Sequence, residues 1–402
     1  MVKYFSCPLL LFTTVFLAGC SRPPAPPANR VALKIGVLSV APWLDGKKAA
    51  FSICSDDGEI RCIKSQWTEQ QPDVAYDGFY ALGKKYRIPV TFFIMPKYVS
   101  PRRLDYTPVK DLAGWRNSVS DWEDWRFMQQ QGHEISSHTF SHGDFRPDSI
   151  RLNLKDGIER PPGVPYDEFQ RPIDSLAKYL GEKPLAVQIP YGGVEERFVD
   201  SARRYYPIVM VDVSRDTAQV LAAGFGATTT AAGLKERLAQ ALAQGKWCRL
   251  VGHGIRTELG RREEAEYSFP PNSLEWKLRK IKRYDGTTPV EYAVLDEFFQ
   301  EVDRQRGQLF IGPVKNVARY LWERKSVRLA VAADRREKAV VRLEHGLDPA
   351  VFNYPLTLIF QPRGKSPAPK ISQNGKALAV TEKDGKFLFN AVPQQGEITL
   401  EL

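Results

Sequence analysis

The sequence predicts an α/β fold followed by a small all-β domain. Three observations carry that reading: strand-like and helix-like runs alternate between residues 45 and 325, short motifs rich in Asp, His and Gly follow several of the strand-like runs, and the pattern changes near Ser326 to short alternating runs. Such alternation implies a parallel sheet covered by helices, either a closed barrel or a doubly wound layer. In both, ligands gather where the carboxyl ends of the strands meet.

Each element has a local reason. AAFSIC, residues 49–54, is a short apolar run suited to a buried strand, and it stops at Ser55-Asp56-Asp57-Gly58. Residues 74–86 read as a helix, IPVTFFIM as a strand rich in β-branched and aromatic residues, and 97–119 as a long polar loop. Ser120 to Glu123 has capping-box spacing and opens the helix DWEDWRFMQQQ, which Gly132 ends before the strand HEIS. Helices follow at 166–180, 194–205 and 234–244, and strands at LAVQIPYGG, PIVMVDVS and WCRLVGH. Thr288-Pro289-Val290-Glu291 again has capping-box spacing, here with Pro at the first helical position, and starts a helix to about Arg306. A strand LFIG and the helix VKNVARYLWERK close this part. Beyond Ser326, Asn374-Gly375 and Asp384-Gly385 are hairpin turn signals between alternating runs, so 326–402 reads as an antiparallel β-sandwich.

The amino terminus has a different character. Residues 1–19 carry Lys3, an apolar run too short for a good membrane-spanning helix, and then small residues, the pattern of an export signal. Leu17-Ala18-Gly19-Cys20 resembles a bacterial lipobox, which implies a lipid anchor on Cys20; Ser21 after it resembles the pattern of sorting to the outer membrane, facing the periplasm. Residues 20–44 are a Pro- and Ala-rich spacer and lead-in. Export leaves Cys54, Cys62 and Cys248 in the mature domain, an odd set that permits one disulfide without selecting the pair. The net charge of +10 comes from Lys and Arg scattered among Asp and Glu, without a basic arm or an RNA-binding signature, so no nucleic-acid partner is expected.

The chemistry concentrates in GHEISSHTFSH, residues 132–142. The chain has five histidines, and three of them, His133, His138 and His142, lie in this stretch. Neutral imidazole is a common ligand for divalent metals, and the spacing of His138 and His142 lets both rings face one ion. Solvated histidine pairs at this spacing are frequent, so the pair alone is half a site. Asp56 and Asp57 at the end of a buried strand are costly to bury unless they bind something. Together with Pro190-Tyr191-Gly192 and His253 they stand just past strand ends, where one bowl collects them. Trp115, Trp122 and Trp125 suit either sugar stacking or helix packing, and packing is favoured for the last two.

SDDG at 55–58, HTFSH at 138–142, IPYGG at 189–193 and LVGH at 250–253, in this order, resemble the motifs of polysaccharide deacetylases of carbohydrate esterase family 4, the NodB homology domain. The resemblance spans 45–325 and implies an irregular (β/α)7-type barrel holding a divalent metal, most often Zn2+, with Co2+, Ni2+ or Mn2+ as other occupants. It assigns Asp57, His138 and His142 to the metal, Asp56 to general base, the Tyr191 backbone N–H to the oxyanion, and His253 to general acid. Asp212, ahead of Asp216, is the expected acidic partner of His253. Pro190, Tyr191, Gly192 and Gln188 belong to the substrate side. Gln188 stands where the family carries an arginine that orients the base; weaker activity, a shifted pH optimum or an arginine supplied from elsewhere are the alternatives. The implied activity is hydrolysis of N-acetyl groups on an acetylated envelope polysaccharide, with an O-acetyl esterase or a non-catalytic glycan binder as the other readings.

Overall fold

A computed structural model describes residues 29–58, 78–99, 120–147, 164–256 and 289–402. The export signal, Cys20, Cys62, Trp115 and most of the 97–119 loop lie outside these residues. Among the described residues no helix is long and apolar enough to cross a membrane.

The chain opens with β1 (Arg30–Leu33) and β2 (Gly36–Val40), an antiparallel hairpin. β3 (Ala49–Ser55) then starts the parallel sheet and is buried along its whole length, as expected of a strand covered on both faces. It is followed by α1 (Phe79–Tyr86), β4 (Val90–Ile94), α2 (Trp122–Gln130), β5 (Glu134–Ser137), α3 (Arg171–Leu180), β6 (Ala186–Val187), α4 (Glu196–Arg203), β7 (Ile208–Val209) and α5 (Met210–Arg215). β8 (Val220–Gly224), α6 (Ala231–Gln244), β9 (Trp247–Gly252), β10 (Ile255–Arg256), β11 (Val290–Glu291), α7 (Tyr292–Arg304), β12 (Leu309–Ile311) and α8 (Val314–Ser326) complete the α/β part. The main sheet runs β7-β6-β5-β4-β3-β9-β8, with β12 also beside β3, and every pairing is parallel. It is a curled, open half-barrel with helices outside, which places the strand ends in one bowl.

Several sequence expectations shift. The cap of α2 is Asp121, not Ser120: Asp124 N–H donates to Asp121 Oδ1 at 2.9 Å, and Asp121 N–H donates back to Asp124 Oδ2 at 3.3 Å. PIVMVDVS is not one strand; after two residues of β7 the chain turns into α5, whose buried Met210 and Val213 are three apart, a helical spacing. Val290-Glu291 pairs in parallel with β10 and α7 starts after it, with Glu291 at its N-cap rather than inside its first turn; Thr288 lies outside the described residues. β8 was not expected; LAAG is too small and short a run to stand out. Cys54 and Cys248 are free, buried thiols, each pushed up to about 12 by burial. They sit on opposite faces of the sheet, since Cys54 pairs with Val251 and Cys248 with Phe51.

The carboxyl-terminal part, joined by β1 and β2, is two five-stranded antiparallel sheets: β13 (Arg328–Asp334), β14 (Lys338–Glu344), β15 (Leu356–Pro362), β16 (Lys370–Gln373), β17 (Lys376–Ala377), β18 (Thr381–Lys383), β19 (Lys386–Ala391) and β20 (Glu397–Glu401) supply the other eight strands. Asn374-Gly375 and Asp384-Gly385 have positive φ at both positions and close two-residue hairpins, as their sequence implies. Residues 30–40, expected as lead-in, are part of this layer: β2 pairs with β15, and Leu33, Ile35 and Leu38 share its core. The run V-A-L-K-I-G-V-L-S-V alternates around a turn, but with no neighbouring strand in sequence it offers no sign of its partner.

His133 ties β4 to β5. Its Nδ1 accepts the Val90 N–H at 3.0 Å while its ring packs on Phe92, and burial pushes its pKa down to about 4. His133 is thus a packing residue at the approach to β5. Because the folded value lies below the usual 6.5, its contribution is complete above that pH and is lost as pH falls through 4. In thermal melts, His133→Asn, which keeps an acceptor, should show a shallower loss of stability between pH 6.5 and 4, by roughly 1–3 kcal/mol at the acid end.

Candidate metal centre

Asp57, His138 and His142 converge. Asp57 Oδ1 lies 3.2 Å from His138 Nε2 and 3.1 Å from His142 Nε2. All three residues are buried, and their candidate donor atoms lie within 4.8 Å of one another. Among the described residues this is the one such cluster of His, Cys, Asp or Glu. The donor set of one carboxylate oxygen and two imidazoles fits a catalytic divalent ion, for which ligand distances near 2.0–2.2 Å place neighbouring donors about 3.3 Å apart. His138 Nδ1 donates to the Gln188 carbonyl at 2.7 Å, which fixes the tautomer and leaves Nε2 its lone pair for an ion.

The positions follow from strand register. β3 ends at Ser55, the Asp56 N–H bonds the Gly252 carbonyl of β9, and Asp57 turns away at φ 69°. His138 follows β5 directly, its N–H bonded to Ile94 O. Thr139, His142 and Tyr191 also hold positive φ, at 65°, 63° and 64°. Four non-glycine residues in the left-handed region at one site are local strain, which persists only where the surroundings over-determine it.

Glu168 is one of those surroundings, and the sequence offered no signal for it. This buried carboxylate, on a π-helical turn at Tyr166–Gln170, accepts from Ser141 N–H at 2.9 Å, from Gly143 N–H at 3.3 Å and from Ser141 Oγ, while its carbonyl accepts the Phe140 N–H. It thereby clamps the loop that carries His142. On the other side, the Tyr191 ring stands edge-on to His142 with centroids 4.5 Å apart, and the Arg146 guanidinium lies over Tyr191 while bidentate to buried Asp144.

Asp56 is buried beside the triad, with Oδ1 lacking a hydrogen-bond partner among the described residues. Burial raises its pKa, against the opposing charges of His138, His253 and Arg249. Burial pushes Asp57 the same way, but His142 and His138 outweigh it and hold Asp57 well below the usual carboxylate range. His253 follows β9, its carbonyl accepting from Ser55 Oγ at 2.8 Å, and its charge acts on both aspartates. Asp212 is not brought to His253: Arg203 holds both of its oxygens at 2.6 and 3.0 Å on the outer face, and Asp216 pairs with Lys325 at 2.7 Å. Among the described residues, Asp56 and Asp57 are acids that interact with His253. Gln188, Pro190, Tyr191 and Gly192 follow β6, with Tyr191 38% exposed. Trp122 and Trp125 are buried in packing, Trp122 stacked on Tyr179 at 4.5 Å.

Zinc competition titration should give one tight site in the wild type and none in Asp57→Ala. Glu168→Ala should weaken zinc by about 10–100-fold with both histidines retained. Unchanged affinity in Glu168→Ala would show that the loop holds its shape without that clamp.

The polysaccharide deacetylase family model matches residues 46–206. A gellan lyase of Bacillus sp is 21% identical over 373 residues, which cover 91% of this chain but 13% of that relative, so the chain spans about one eighth of its length. A putative polysaccharide deacetylase from Mycobacterium smegmatis shares 16% identity over 74% of this chain and 95% of its own, with a TM-score of 0.38. The peptidoglycan deacetylase PdaC from Bacillus subtilis shares 17% over 64% and 93%, with a TM-score of 0.27. The matched segment, which is similar to polysaccharide deacetylases, contains Asp56, Asp57, His138, His142, Gln188 and Tyr191.

Proposed function

We propose that this protein hydrolyses acetyl groups from an N-acetylated amino-sugar polysaccharide or oligosaccharide of the cell envelope. The observation that carries the reading is the convergence of Asp57, His138 and His142 with a second buried carboxylate, Asp56, beside them. A glycan-binding domain has no use for that second carboxylate. A divalent ion, zinc in the first instance, held by the three ligands supplies Lewis acidity to the acetyl carbonyl and to water.

The remaining work belongs to side chains and backbone. Asp56, whose proton affinity is raised by burial, takes the proton of the attacking water. The Tyr191 backbone N–H, in the strained turn after β6, donates to the oxyanion as the carbonyl becomes tetrahedral. His253, which follows β9 beside the two aspartates, protonates the departing sugar amine. The sequence Leu17-Ala18-Gly19-Cys20 supports attachment of this catalytic domain to the envelope through lipid on Cys20, with the Pro-rich spacer holding the domain off its anchor.

Chelation should abolish acetate release from N-acetylated oligosaccharides, and zinc or cobalt should restore it. Asp56→Asn should lower kcat by at least about 100-fold while retaining zinc, as expected for loss of a general base. His253→Ala should depress N-deacetylation more than O-deacetylation, because an alkoxide leaves with less need of a proton. Full acetate release by Asp57→Ala would refute the assigned site.

A further inference from the structure

The arginine missing at position 188 has a counterpart on a different strand. Arg249 lies on β9, paired in register with Ser52 of β3, and is 1% exposed. Alternation along the strands places Ser52, Cys54 and Asp56 on one side of β3, and the Trp247 indole on Ser52 Oγ shows that β9 turns Trp247, and therefore Arg249, to that same concave side. From there Nη2 donates to Gln188 Oε1 at 2.7 Å and Nη1 donates to Ser214 Oγ at 3.0 Å, with the Cys54 thiol also against the guanidinium. Its Nε is buried without an acceptor, and among the described residues it makes no ion pair. A guanidinium buried without a carboxylate partner is destabilising by itself, so neutral amide and hydroxyl acceptors around it call for a further explanation.

Gln188 supplies that explanation. Its side-chain oxygen accepts from Arg249, its backbone N–H bonds Ser137 O, and its carbonyl accepts the proton of His138 Nδ1. Arg249 therefore acts on a metal ligand through one intermediate residue, and its charge acts on Asp56 from the same concave side.

Resting on the proposed deacetylase reading, we propose that Arg249 is the positioning residue of this centre. From β9 it replaces the arginine absent at position 188, fixing Gln188 and hence His138 by its fork of hydrogen bonds and placing a permanent positive charge beside Asp56. The concave side thus holds one cation, from β9, against one amide, from the turn after β6.

The test is the exchange itself, in the full-length metal-loaded protein. Arg249→Gln leaves two amides and should weaken zinc by about 10–100-fold. It should also reduce kcat on N-acetylated chitooligosaccharides at saturating zinc with KM changed less than about threefold. Gln188→Arg places two guanidinium groups together and should lose activity and thermal stability. The double variant Gln188→Arg/Arg249→Gln restores one cation and one amide and should recover zinc affinity and kcat to within about tenfold of wild type. Arg249→Lys keeps charge without the fork and should recover neither in full.

Zinc affinity and kcat of Arg249→Gln within twofold of wild type would overturn the proposal. So would a folded double variant no better than the worse single one. The zinc arm stands apart from activity: a wild type that releases no acetate from any acetylated glycan defeats the deacetylase reading, whereas the pattern of zinc affinities still decides the role of Arg249.

Discussion

One carboxylate oxygen shared by two imidazole nitrogens is the constraint around which the bowl is arranged. Asp57 Oδ1 and the two Nε2 atoms are held within 3.2 Å in a buried setting, where like-signed or unpaired polar groups would be costly. Bringing them together requires the ends of β3, β4, β5 and β6 to be level. The strand register does this, and the backbone bonds of Asp56 to Gly252, His138 to Ile94 and Gln188 to Ser137 extend the ladder one residue past each strand. Asp57 and His138 are therefore placed by backbone hydrogen bonds, and His142 by the Glu168 carboxylate on its loop, before any ion contributes.

The strain at Asp57, Thr139, His142 and Tyr191 follows from the same constraint. A strand ends with its side chains perpendicular to the sheet, and turning them inward over the bowl demands left-handed backbone, at a cost on the order of 1–3 kcal/mol each. Polar clamps around the loops offset it. Glu168 satisfies three donors of the His142 loop, and Asp144 fixes Arg146, which in turn covers the Tyr191 ring. Such prearranged ligands bind an ion without reorganising, and that is what a hydrolytic centre needs for repeated turnover.

The parts of this arrangement visible in the sequence are those with local signatures. Aspartates after an apolar run, paired histidines after another and a Pro-Tyr-Gly-Gly turn each announce a strand end, and the dipeptides Asn374-Gly375 and Asp384-Gly385 announce hairpins. What stayed hidden depends on contacts between distant segments. Nothing near residues 30–40 points to β15, and nothing near Asp212 shows that Arg203 occupies it. Met210-Val211-Asp212-Val213 satisfies strand and helix periods equally over so short a run, and packing of Met210 and Val213 decides for helix. Arg249 did leave a trace: a lone arginine inside the apolar run WCRLVG cannot be buried without a purpose, and its partner, Gln188, was the departure noticed at the third motif.

A zinc-loaded crystal structure measured at the zinc absorption edge tests the central claim most directly. A single anomalous peak is expected, bonded to Asp57 and to Nε2 of both His138 and His142 at about 2.0–2.2 Å, with His138 Nδ1 still on the Gln188 carbonyl. Zinc bound elsewhere, or bound here with either imidazole turned away, would contradict it.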